Sequence, residues 1–167
     1  MSARIELICG VFALAICGGA VHPFGPVKRD SSAPFFRGAA LDTATLERFR
    51  RACSNCHSEH VQWPWYSYVA PTSWLVERDV QQAREHLNFS RWSYYPPQER
   101  ITLLSAIGAA LNTHEMPPRR YLTLHPESAL SDSERNALYE WTKAERHRLR
   151  APALQQSALT GEKRNAE

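Results

Sequence analysis

Methionine is nearly missing from this chain: of 167 residues only Met1 and Met116 carry it. Cysteine is scarce as well, with Cys9 and Cys17 in an apolar N-terminal segment and Cys53 and Cys56 in the body. That division excludes a disulfide framework beyond one bridge. No stretch alternates apolar and polar residues as a half-buried strand does, and no segment repeats, so the body reads as all-α. A basic stripe is absent too. The net charge is +3, but Lys and Arg are scattered among Asp and Glu, whereas nucleic-acid binding needs them gathered on one face. No nucleic-acid partner is expected. The nearest cluster is Lys143, Arg146, His147, Arg148 and Arg150, interrupted by Glu145. It reads as a solvated helix end or as a docking surface for an acidic partner.

What is present suffices for one small domain with a leader. Apolar residues make up 43% and charged residues 22%, a balance that permits a core. Residues 1–21 begin with Arg4 as a weak positive start and continue from Leu7 to Val21 in apolar or small residues. The run has the length of a signal-peptide core and falls short of the ~20 residues that span a bilayer. Gly18 and Ala20 fit the small residues of a cleavage site. Two readings lead: a cleaved signal peptide, or an uncleaved anchor attached to the membrane through residues 7–21, with Glu6 at the interface. A lipoprotein at Cys17 is disfavoured by Ile16, which stands where a small residue is expected. Either places the body outside the cytoplasm, in the periplasm or on the outer face of the inner membrane.

Residues 22–41 carry Pro23, Pro26, Pro34, Gly25 and Gly38 and form a linker or an extended wrap around the core. The domain proper is expected over 42–150, with a frayed, disordered tail over 151–167. Four helices are predicted. The first runs from about Thr43 to Cys56, capped by Asp42 or Thr43, with Leu46, Phe49 and Cys53 at helical spacing. The second runs from Thr72 or Ser73 to His86, with Val76, Val80, Ala83 and Leu87 on one face. The third opens at Pro96-Pro97 and carries Ile101, Leu104, Gly108 and Leu111. The fourth opens at Ser131, which forms a capping box with Glu134. The intervening segment "NTHEMPPRRYLTLHPESAL" is predicted to be a loop.

Cys53-x-x-Cys56-His57 is the spacing of covalent haem attachment. Cysteines at i and i+3 of a helix point the same way and can each form a thioether with one haem, and His57 then lies beneath the iron as proximal ligand. Its second ring nitrogen should donate to a carbonyl, for which the vicinity of Pro64 or Pro71 is the candidate. Zinc is the first rival, but no second ligand pair exists among His22, His60, His86, His114, His125 and His147. A thiol–disulfide oxidoreductase is the second, and it usually sits beside a βαβ unit that this chain does not show.

A six-coordinate iron needs a second axial ligand. Met116 lies in "HEMPP", off any periodic face, and Pro117 and Pro118 can hold such a loop residue rigidly. Its thioether would favour Fe(II). His114 is the substitute, and an exchangeable site with Met116 as packing is the remaining reading. Trp63, Trp65 and Tyr66, together with Trp74 and Trp92, read as the wall of a haem crevice or as plain core packing. Arg119, Arg120 and Tyr121 read as a solvated loop or as partners of haem propionates. His60, His86 and His125 read as surface or structural histidines.

The segments "CSNCHS", "WPWYS", "APTSWL", "HLNFSRW", "EMPP", "YLTLHP" and "LSDSE" resemble the small bacterial haem-binding domain family of c-type cytochromes, over about residues 50–145. Ala83 stands where many members carry Gly, a change a helix tolerates. The resemblance implies a small cytochrome c-like helical domain wrapped around one haem c. It implies attachment at Cys53 and Cys56, with iron ligated by His57 and Met116. The expected function is an exported mono-haem cytochrome passing single electrons between redox partner proteins. The alternative is a peroxidase-like haem enzyme or gas sensor with an exchangeable distal ligand.

Overall fold

In the computed structural model, which describes residues 2–164 and side chains from residue 3 to residue 151, every regular element is helical. The order is α1 (Ser2–Gly19), α2 (Thr43–His57), α3 (Thr72–His86), α4 (Pro97–Asn112), α5 (Arg119–Leu124) and α6 (Asp132–Arg164). Three short 3₁₀ helices lie between them, at Trp65–Tyr68, Phe89–Tyr94 and Pro126–Ser128. No strand occurs among the described residues, and the all-α reading holds. Among those residues no helix is long and apolar enough to cross a membrane. The chain forms two compact units, one of Met1–Phe35 and Ser54–Ser90, the other of Phe36–Cys53 and Arg91–Glu167.

The second unit is built on α4 and α6. Ile101, Leu104, Gly108 and Leu111, predicted as one face, are all buried. Gly108 is a contact point: a Cβ there would lie 2.9 Å from Thr142 Oγ1, so glycine lets the two helices approach. Leu138 and Thr142 of α6 are fully buried. An aromatic cluster closes this core, with the Phe36 ring 5.0 Å from Phe49, 4.9 Å from Trp92 and 5.5 Å from Trp141. Trp92 is therefore core packing in this unit. Asp42 caps α2, accepting from the Thr45 amide at 2.8 Å and its hydroxyl at 2.7 Å. The capping box of α6 forms as predicted. The Ser131 amide donates to Glu134 Oε2 at 2.9 Å, and the Glu134 amide to Ser131 Oγ at 3.2 Å. Glu145, which breaks the basic cluster in sequence, is buried and takes two bonds of 2.6 Å from Arg148.

Two expectations differ from the structure. The segment predicted as loop contains α5 and the Pro126–Ser128 turn. Pro118 ends an extended stretch and starts α5, and six residues are too few to show helical periodicity. Beyond Arg150, where a frayed tail is expected, the backbone of α6 is helical to Arg164. Residues 165–167 of that expected tail lie outside the described residues.

In the first unit, α3 presents one face to the segment that precedes the body. Trp74 Nε1 donates to the carbonyls of Gly18 and Val21, both at 3.0 Å. Glu77 pairs with His22, Gln81 Nε2 donates to the Gly25 carbonyl at 2.8 Å, and Arg84 Nη1 to the Lys28 carbonyl at 2.7 Å. The positions 74, 77, 81 and 84 follow the 3.6-residue period, so one stripe of α3 takes up the strap in order. Past Lys28 the strap meets the residues after α2. Lys28 Nζ pairs with Glu59 at 2.7 Å, and the Asp30 amide donates to the Glu59 carbonyl at 2.8 Å. Residues 18–30 are docked on α3 and on the residues after α2 by hydrogen bonds rather than by a hydrophobic stripe.

Candidate metal centre

Cys53, Cys56 and His57 occupy the last turn of α2, and all three are half-buried. The i, i+3 step of the cysteines is thus realised on a helix, as the spacing requires. His57 Nδ1 is 3.1 Å from the Leu87 carbonyl. That carbonyl accepts only from a protonated nitrogen, so the tautomer is Nδ1–H, and Nε2 is the ring atom left to ligate. Burial pushes the His57 pKa below the ordinary imidazole value, and the Leu87 carbonyl opposes this in part. A neutral ring is the form a metal takes. The acceptor is neither of the carbonyls expected near Pro64 and Pro71. α3 ends at His86, and Leu87 adopts an extended conformation (φ −159°, ψ 124°) that turns its carbonyl away from the helix ladder.

The residues around His57 are held as a set. Ser58, fully buried, donates from Oγ to the Ser54 carbonyl at 2.8 Å and accepts from the His60 amide at 3.0 Å. Ser90 Oγ accepts from the Glu59 amide at 3.0 Å, and Asn88 Oδ1 accepts from the Ser90 amide at 2.9 Å. The Phe89 ring lies 5.9 Å from the imidazole. Arg84 Nη2 donates to the Ser58 carbonyl at 2.6 Å. Asn88, Ser90 and Arg84 were not singled out from sequence, and Leu87 was expected only as an apolar position on a helix face. The run "LNFS" follows α3 directly, and its Asn88 and Ser90 are buried.

Met116 lies in the second unit, 39% exposed, between α4 and α5. Its amide donates to the Ala110 carbonyl at 3.4 Å, and its carbonyl accepts from Arg135 Nη1 at 2.8 Å. Arg135 is therefore a residue that sequence reasoning missed: it pins the backbone of the one internal methionine. His114 is exposed. Of the aromatic residues expected to wall a crevice, Trp63 and Tyr66 are half-buried and Trp65 is 77% exposed. Trp63 donates from Nε1 to the Ser67 carbonyl at 3.2 Å, and the Arg29 guanidinium lies over its ring at 5.4 Å. Arg119 and Arg120 are exposed at the start of α5, and the Tyr121 ring stacks on His125 at 4.3 Å. His60 bonds the Ala33 carbonyl and His125 bonds Glu127, consistent with structural roles.

Among the described residues no group of three or more His, Cys, Asp or Glu side chains could hold a metal ion. A donor set of one oriented, neutral imidazole directly after two accessible thiols fits a haem, whose macrocycle supplies four of the iron's ligands itself. An all-helical chain with such a site defines a haem-binding protein. Residues 20–144 match the model of the family described as "Haem-binding domain", and the chain belongs to that family. Similarity also extends to cytochrome c peroxidase Ccp of Escherichia coli (strain K12), 26% identical over 155 residues. The match covers 87% of this chain and 33% of that protein, so the chain spans about a third of the relative's length. No solved structure matches.

Proposed function

We propose that the chain is an exported mono-haem c-type cytochrome that carries single electrons between redox partner proteins. The observation that carries this reading is His57, whose ring is fixed by the Leu87 carbonyl with Nε2 left for iron, one residue after the second thiol of a CxxCH turn. In this reading the Cys53 and Cys56 thiols would hold the haem through thioether bonds. Bound there, the haem supplies a one-electron iron couple. His57 would give the proximal nitrogen, and the buried Ser58 and Asn88 hold its loop beside the end of α3. Met116, its carbonyl tied to Arg135, would offer a thioether sulfur to the iron. Trp63 and Tyr66, half-buried, suit a wall that excludes water. Export through the residue 1–21 leader supplies the compartment in which haem is attached.

A second reading rests on the similarity to a cytochrome c peroxidase and on the partial exposure of Met116. In it, the distal position is open to peroxide or a diatomic gas. A pyridine haemochrome spectrum of protein made with the cytochrome maturation machinery tests both at once. A thioether-linked haem spectrum is expected, and its absence overturns the two readings together. The near-infrared charge-transfer band of Met-ligated ferric haem, lost in Met116→Ala, supports the carrier. Rapid CO binding to the untouched reduced protein, or peroxide turnover, supports the second reading instead.

A further inference from the structure

Helix α1 is apolar around its whole circumference from Leu7 to Ile16, and it keeps those side chains in the open. Leu7 is 69% exposed, Phe12 63% and Leu14 75%. A helix seated on a protein groove leaves a polar stripe facing water, and α1 has none in this stretch. Its C-terminal end is nevertheless docked on the body. The Ala70 amide donates to the Ala15 carbonyl at 3.0 Å, and Trp74 Nε1 donates to the Gly18 carbonyl at 3.0 Å. A Cβ on Gly19 would fall 1.9 Å from the Tyr68 carbonyl oxygen, and one on Gly18 would fall 3.0 Å from Ala70 Cβ. Small residues at this point therefore have a second cause besides cleavage: only they let α1 lie against residues 68–70.

Beside that docking point stand four exposed apolar side chains. They are Phe24 (45%), Trp65 (77%), Tyr68 (52%) and Leu75 (43%). Phe24 and Leu75 line one shallow groove of about 320 Å³ with Pro71, Trp74 and Arg78. Single exposed apolar residues are ordinary. These four stand on the 3₁₀ helix that touches α1 and around the groove beside Trp74, next to an exposed apolar helix. Apolar exposure gathered in this way marks an interaction surface. Trp and Tyr are the side chains that settle where hydrocarbon meets headgroup. Cations stand nearby: Arg29 donates to Tyr68 Oη at 3.2 Å, and Arg78 borders the groove. These suit the phosphates of the same layer.

We propose that α1 is retained in the mature chain and held in the apolar layer of a phospholipid bilayer, with Phe24, Trp65, Tyr68 and Leu75 resting in the adjoining headgroup layer. The inference rests on the export reading and is independent of the haem. α1 enters the bilayer from the side of the folded body, which is thereby set down on one chosen face rather than swinging from a tether.

The test uses the full haem-loaded chain, purified in detergent and moved into vesicles of phosphatidylethanolamine and phosphatidylglycerol. The part of the tryptophan emission absent from Trp65→Phe is the signal of Trp65. It should shift to the blue and lose its access to acrylamide on transfer to vesicles, and brominated acyl chains should quench it. An unchanged haem spectrum in Trp65→Phe shows that the variant is folded and keeps this result separate from the haem reading. The intact mass of protein from exporting cells should include residues 1–20. A mature chain starting at Val21 overturns the proposal. So does a Trp65 equally open to acrylamide in vesicles and in detergent, or one shielded only when a membrane protein is added.

Discussion

Replacing Arg84 by alanine removes two bonds that join three parts of the first unit. Its guanidinium holds the Lys28 carbonyl of the strap at 2.7 Å and the Ser58 carbonyl, next to His57, at 2.6 Å. A hydrogen bond from a charged donor contributes about 1.5–3 kcal/mol net. The bond to Lys28 is exposed, so water can replace the donor and little is lost there. The bond to Ser58 is partly buried, and its carbonyl would be left short of a donor. Together these set a loss of roughly 2–3 kcal/mol in unfolding free energy, measured by urea titration. Arg84→Lys keeps the charge but lacks the fork that reaches two carbonyls, so it should fall between the two. The haem-loaded Arg84→Ala protein should also show a shifted reduction potential, because the loop that carries His57 is loosened. Arg91→Ala, at an exposed position, should leave both readouts alone. A loss below about 0.5 kcal/mol, the scatter of ordinary surface substitutions, together with an unmoved potential would refute the reasoning.

Arg135→Ala frees the Met116 carbonyl and should speed CO binding to the reduced protein by stopped flow; a rate equal to the parent's would mean that Arg135 does not position the loop. Gly108→Ala gains about 1 kcal/mol of helix propensity but sets a Cβ 2.9 Å from a buried hydroxyl that itself bonds the Tyr139 carbonyl. Overpacking of this kind costs about 1–3 kcal/mol, so thermal unfolding should show a net loss that disappears in the Thr142→Ala background. The Thr45 amide and hydroxyl hold the Asp42 carboxyl below its ordinary pKa. Its stabilising effect is therefore full above the ordinary carboxylate pKa and fades as pH falls through the depressed folded value. Asp42→Asn, which keeps an acceptor, should flatten the acid limb of a melting-temperature profile; an unchanged limb would assign that limb to other carboxylates.

Helices α2, α3, α4 and the start of α6 were legible because each carries a local signal. Ile101, Leu104, Gly108 and Leu111 keep strict spacing, and Ser131 with Glu134 writes a capping box into four residues. α5 was not legible, since six residues after Pro118 hold less than two turns of pattern. The CxxCH turn was plain for the same local reason. Its support was not, because the acceptor for His57 comes from Leu87, 30 residues away, and a backbone carbonyl leaves no mark on residue type. Arg135 was hidden likewise, as its partners are the carbonyls of Leu111 and Met116. What sequence misses here is chiefly side chains that grip backbone.

The strap along α3 has a consequence for which changes the chain can tolerate. Three of its four attachments, to Trp74, Gln81 and Arg84, are made through carbonyl oxygens that every amino acid supplies, and only His22 contributes a side chain. Gly18 and Gly19 stand where a Cβ would meet residues 68–70, Gly25 has a positive φ, and His22, Phe24 and Lys28 have side chains with roles of their own. Outside these positions, residue identities between Gly18 and Lys28 are loosely constrained, while their number is not. One residue inserted or deleted there would offset every later pairing by a step that α3 cannot follow. The segment acts as a gauge, free to drift at the positions between those constrained residues and fixed in length.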